Sequence, residues 1–86
     1  MTPNAILEDV QRRPFRPFRI AVSDGSFYDI HHPEFCMVGT SYIVVGVASN
    51  PASPLFERTD KVDCRHVVKI YELPSSAQAG GNGQQN

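Results

Sequence analysis

Side chains that could bind a metal ion or act as nucleophiles occur in two short segments of this sequence. The first segment holds two adjacent histidines and a cysteine within six residues, and the second holds a cysteine and a histidine two positions apart. Zinc is bound by cysteine and histidine, but neither segment has the CxxC or HxxxH spacing typical of structural zinc sites. A small metal-binding or hydrolytic protein is therefore one hypothesis, and its residues are His31, His32, Cys36, Cys64 and His66.

The pair that most resembles a nucleophile with its base is Cys64 and His66. Residues two apart on a strand share a face, with side chains about 7 Å apart, which is beyond hydrogen-bond reach without a bend. The sequence also has no glycine-rich phosphate loop, metalloprotease helix motif or GxSxG motif. We therefore expect a protein that is not an enzyme and has no cofactor, with both cysteines as small buried residues.

A second candidate is the basic segment, residues 12–19, which holds four of the eight basic residues and two phenylalanines. Guanidinium groups can contact phosphates while aromatic rings stack on bases. The net charge of the chain is −1, however, so there is no overall attraction to nucleic acid. The residues of this nucleic-acid hypothesis are Arg12, Arg13, Phe15, Arg16 and Arg19, and we expect only Arg16 and Arg19 to point outward together.

A short N-terminal helix should precede the basic segment. Thr2 can accept a hydrogen bond from a free backbone N–H, and Pro3 suits the first helical position. Pro14 disfavours helical geometry at the residue before it, so the helix should end at residue 12 or 13. The apolar residues that share one face of this helix are Ile6, Leu7 and Val10.

A hairpin should follow, because apolar residues alternate with polar ones from Phe18 onward and Asp24-Gly25 marks a turn. A two-residue loop would place apolar side chains opposite polar ones. A three-residue loop over 23–25, with the glycine left-handed, instead pairs Val22 with Ser26 and keeps the apolar side chains on one face. We therefore predict the three-residue loop.

The remaining elements are predicted from β-branched runs and turn residues. Val68 and Ile70 should share one face of the last strand, and 61–66 has no clear pattern. The segments are a bend at 31–34, strands at 35–38 and 42–47, an exposed loop at 48–54, a short strand opening at Leu55 and Phe56, a last strand at 67–73, and a disordered tail at 74–86.

One helix followed by about five short strands predicts a mainly β domain over 1–73, a small antiparallel barrel of SH3-like or Sm-like type. No apolar run approaches the 18 or so residues that span a bilayer, and the first residues lack the order of a signal peptide. We therefore expect a cytoplasmic protein that does not contact a membrane.

Several short motifs carry a resemblance to a known family. The runs RRPFRPFRI at 12–20, SDG at 23–25 and HPEF at 32–35 resemble a family of short, uncharacterised bacterial proteins. The helix before the strands, the Asp24-Gly25 turn, and Arg65-His66 before the last strand are similar to Sm-like RNA-binding barrels. The second resemblance implies nucleic-acid binding, although the glycine expected late in the second strand is missing and 51–54 is an insertion.

The function favoured by the sequence is a non-enzymatic binding or adaptor module. Its partner would be another protein or a second copy of the chain, because small open barrels leave strand edges unpaired. A nucleic-acid-binding barrel that uses the basic segment is the alternative, and the small metal-binding or hydrolytic protein is the third hypothesis.

Overall fold

The N-terminal helix forms where the sequence predicts it. In the computed structural model, which describes residues 1–74, α1 spans Pro3–Gln11 and the Thr2 hydroxyl accepts a hydrogen bond from the backbone N–H of Ala5. The helix ends slightly before the predicted position, because Arg12 already has a non-helical ψ of 136°. The N-terminal cap is therefore confirmed and the end is displaced by one residue.

The first antiparallel sheet contains the predicted hairpin and has the strand order β2-β1-β6. Val22 donates its N–H to the Ser26 carbonyl at 2.9 Å, and Gly25 has a φ of 91°. The three-residue loop and its register are therefore confirmed. The strands of this sheet are β1 (Phe18–Val22), β2 (Phe27–Ile30) and β6 (Val67–Glu72).

The second antiparallel sheet has the strand order β3-β4-β5. A 3-10 turn over Pro33–Phe35 separates β2 from the second sheet, because proline breaks the ladder where the sequence predicts a bend. A second 3-10 turn over Cys64–His66 connects this sheet back to β6. The strands are β3 (Cys36–Val38), β4 (Tyr42–Val47) and β5 (Arg58–Asp63).

Three expectations about the strands were wrong. The described chain has six strands instead of about five. Leu55 and Phe56 do not open a strand, since β5 begins only at Arg58. Val68 does not share a face with Ile70, because a bulge opposite β1 makes Val68 an extra residue that is 57% exposed.

Both sheets and the helix contribute to one hydrophobic core, in which Ile6 of α1, Ile20 of β1 and Ile43 of β4 are fully buried. The architecture is mainly β, with two three-stranded antiparallel sheets and one short helix. The predicted disordered tail, 74–86, lies outside the described residues except for Pro74. No helix in residues 1–74 is long and apolar enough to cross a membrane.

Candidate functional site

A half-open cleft of about 300 Å³ lies between β2 and the end of β4. Its lining combines aromatic and aliphatic residues with a smaller number of polar and charged side chains, a combination typical of ligand pockets. We call this surface the cleft, and it is lined by Phe27, Tyr28, Asp29, His31, His32, Phe35, Val45, Gly46, Val47, Ala48, Pro51 and Arg58.

One wall of the cleft is an exposed strand edge. The bond from the Val22 N–H to the Ser26 carbonyl sets the alternation along β2, so that Tyr28 and Ile30 direct their backbone groups to β1. The backbone N–H and C=O groups of Phe27 and Asp29 therefore point away from β1. β2 is an edge strand among the described residues, so no neighbouring strand satisfies these groups.

The side chains of this edge are already engaged on the outer face of the sheet. Both carboxylate oxygens of Asp29 accept hydrogen bonds from Arg19, at 2.6 and 3.0 Å. The same guanidinium lies over the Phe27 ring, 4.0 Å from its centroid. The side chains of this edge therefore already have partners, whereas its outward backbone N–H and C=O groups can form hydrogen bonds with another chain.

A polar bridge joins the two sheets at the mouth of the cleft. The Tyr28 hydroxyl donates a 2.7 Å hydrogen bond to Asp60 of β5, and Arg58 contacts the same carboxylate at 3.3 Å. The hydrogen bond from Tyr28, with further help from Arg58, lowers the pKa of Asp60. Partial burial is the main cause that raises the pKa of Tyr28. Asp60 is therefore ionised at neutral pH and holds Tyr28 in place.

Aromatic rings support the other side of the cleft. The rings of His32 and Phe35 are 5.1 Å apart, and Phe35 packs edge-on against Phe56 at 5.9 Å. A β-carbon at Gly46 would come within 3.1 Å of the Phe56 ring, so glycine allows this close approach. The Nε2 of His32 also lies 3.0 Å from the Pro51 carbonyl and, as the donor, holds the 48–57 loop near the cleft.

The basic segment uses most of its charge within the protein. Arg12 and Arg16 both contact Glu72, at 2.9 and 3.3 Å, and Arg13 donates to the backbone carbonyls of Val10 and Arg12. Arg19 does lie on the outer face of its sheet, but it is held there by Asp29, and this hydrogen bond raises the pKa of Arg19.

The two phenylalanines of the basic segment belong to the core and its margin. Phe18 is 2% exposed, and Phe15 is half-buried with its ring edge-on to Phe18 at 5.9 Å. Burial of this kind leaves little ring surface for stacking on a base. Nucleic-acid binding by the segment stays a prediction that would require the arginines to exchange their present partners.

The metal and hydrolase hypotheses rest on residues that the fold places in separate surroundings. His31 and His32 line the cleft, whereas the Nδ1 of His66 lies 3.1 Å from the Ser23 hydroxyl at the hairpin turn. Cys36 and Cys64 are free and buried. Within residues 1–74, no group of three histidine, cysteine or acidic side chains is arranged to hold a metal ion.

Burial also affects the chemistry of Cys36. It raises the pKa of the Cys36 thiol to about 12, and the neighbouring Cys64 adds to this rise. The Cys36 thiol is therefore protonated at neutral pH, whereas a cysteine nucleophile reacts as the thiolate.

The sequence did not predict the cleft, because its lining comes from separate segments between residues 27 and 58. The signals in the sequence were the bend at Pro33 and the aromatic Phe56 just after the 48–54 loop. Comparison with models of protein families, with curated proteins and with solved structures found no match for this chain.

Proposed function

We propose that the protein is a non-enzymatic binding or adaptor module that holds a segment of a partner protein in the cleft. The cleft carries this proposal, because it combines an apolar floor with unsatisfied backbone groups of an edge strand. The same surface shows no nucleophile paired with a base among its lining residues, which favours binding over chemistry.

We also propose that the two sheets are halves of one open barrel of the SH3-like or Sm-like type. A single strand bent at Pro33–Phe35 would join β2 to β3 end to end, with β1 and β6 beside its first half and β4 and β5 beside its second half. Because β4 pairs with β3 and β5 and not with β2 among the described residues, the outer side of β2 stays open in this arrangement. The 3-10 turn between β5 and β6 and the common core support this assignment. An experimentally determined solution structure would test it through the strand pairing on both sides of the bend.

A blocking substitution tests the function. Ala48→Arg should place a bulky charged side chain in the cleft, whereas Ala52→Arg adds the same side chain to an exposed position of the same loop outside it. Affinity capture from the native cell, with both protein and nucleic-acid readout, should recover a protein with the wild type and Ala52→Arg that Ala48→Arg fails to retain. Equal capture by all three forms, or capture of nucleic acid alone, would overturn the proposal.

A further inference from the structure

We infer that the partner segment binds as an added β-strand along the free edge of β2, and that it is apolar and uncharged. This inference rests on the proposed function and specifies its partner. The edge presents backbone donors and acceptors at Phe27 and Asp29, two residues apart on one strand. An extended chain matches that spacing, whereas a helix satisfies its own backbone groups internally.

The required chemistry of the segment follows from the walls of the cleft. A residue of the added strand that points inward would meet Val45, Val47 and Phe35, so it should be aliphatic or aromatic. The stretch of the partner that pairs with β2 should be about three or four residues long, because only Phe27 and Asp29 direct backbone N–H and C=O groups outward.

Charge favours an uncharged segment. The charged groups around the cleft are already paired within the protein, because Arg19 binds both oxygens of Asp29 and Arg58 contacts the Asp60 carboxylate at 3.3 Å. A charged side chain of the partner would lose its hydration in the cleft without gaining a free ion-pair partner among these groups.

Amide hydrogen exchange of the free protein tests whether the outer side of β2 lacks a hydrogen-bonding partner. The amides of Tyr28 and Ile30 should be protected by β1, and those of Phe27 and Asp29 should exchange rapidly. Protection of Phe27 and Asp29 that grows with protein concentration would assign the edge to a second copy. Protection that is lost on removal of residues 75–86 would assign it to the protein's own C-terminal segment. Either result overturns the inference.

A random nonapeptide library displayed on phage then supplies the probe. We expect enriched peptides in which apolar residues alternate and charged residues are rare, and their binding should protect the Phe27 and Asp29 amides. Methylation of backbone nitrogens in a selected peptide should weaken binding at least tenfold at alternate positions only, because every second N–H of an edge strand faces its partner. Failure to enrich any peptide, or equal tolerance of methylation at all positions, would overturn the strand model.

A matched pair of variants tests the same backbone hydrogen bonds by changing the protein instead of the peptide. Phe27→Pro removes the outward N–H without removing a bond to β1, whereas Phe27→Ala removes only the ring. Both variants lose the ring, so the difference between them measures the outward N–H: Phe27→Pro should bind selected peptides at least tenfold more weakly than Phe27→Ala does. If Phe27→Pro fails to fold, the methylated peptides decide the question. Peptides that are blocked by Ala48→Arg but insensitive to methylation would refute strand addition while leaving the binding module intact.

Discussion

The basic segment and the cleft differ in how much of their bonding capacity the protein already uses. In the basic segment, Arg12 and Arg16 share Glu72, and Arg19 is held by Asp29. At the cleft, the outward backbone groups of Phe27 have no partner strand among the described residues. The segment with the most charged side chains therefore has few polar groups left without a partner. The difference teaches that binding capacity depends on which polar groups remain unsatisfied after folding.

The largest expected effect separates the phenylalanines of the two regions. Phe18→Ala should lower the free energy of unfolding by about 3–5 kcal/mol, because it removes a fully enclosed ring from the core. Phe27→Ala should cost less than about 1 kcal/mol, because that ring is 53% exposed on the outer face. Urea unfolding of both variants measures the contrast. Similar losses would show that Phe27 belongs to the core or that Phe18 does not.

Local sequence patterns predicted the helix before the basic segment and the hairpin beside the cleft. The Thr2 cap and the Val22 to Ser26 register depend on residues close in sequence, and both were predicted correctly. The pairing of Arg12 with Glu72 joins residues 60 positions apart, and no local pattern contains it. The bulge at Val68 likewise depends on how β6 pairs with β1, so alternation alone misplaced that side chain.

The turn before β2 gives the next largest effect. Gly25→Ala should lower the free energy of unfolding by about 1 kcal/mol, because Gly25 has a φ of 91° and a β-carbon is disfavoured there. Asp24→Ala should cost less, since it removes only the local hydrogen bonds from the N–H and hydroxyl of Ser26. Thermal or urea unfolding compares the two. A neutral Gly25→Ala would contradict the loop that directs the Phe27 backbone toward the cleft.

The ion pairs at the two ends of the basic segment should differ in strength. A double-mutant cycle for Arg19 and Asp29 should give a coupling of about 1 kcal/mol, because both side chains are about 30% exposed and form two hydrogen bonds. The cycle for Arg12 and Glu72 should give about 0–0.5 kcal/mol, since these side chains are more exposed and make one bond. Equal coupling free energies, measured by urea unfolding, would show that the two ion pairs do not differ in strength.

The last comparison concerns nucleic acid, for which the wild-type protein should show the weakest response. A mixed single-stranded RNA should bind the wild-type protein weakly or not at all at physiological salt, because Arg12 and Arg16 are engaged by Glu72. Glu72→Gln should release both arginines and raise any RNA affinity by no more than about tenfold, with a salt dependence steeper by at most about two phosphate contacts. Glu57→Gln is the matched control, because it makes the same charge change at an exposed carboxylate bound to Ser49. Equal responses in the two variants would attribute the gain to net charge. Tight, strongly salt-dependent binding by the wild type would instead show that the arginines leave Glu72 for phosphate, and would favour the basic segment over the cleft as the functional surface.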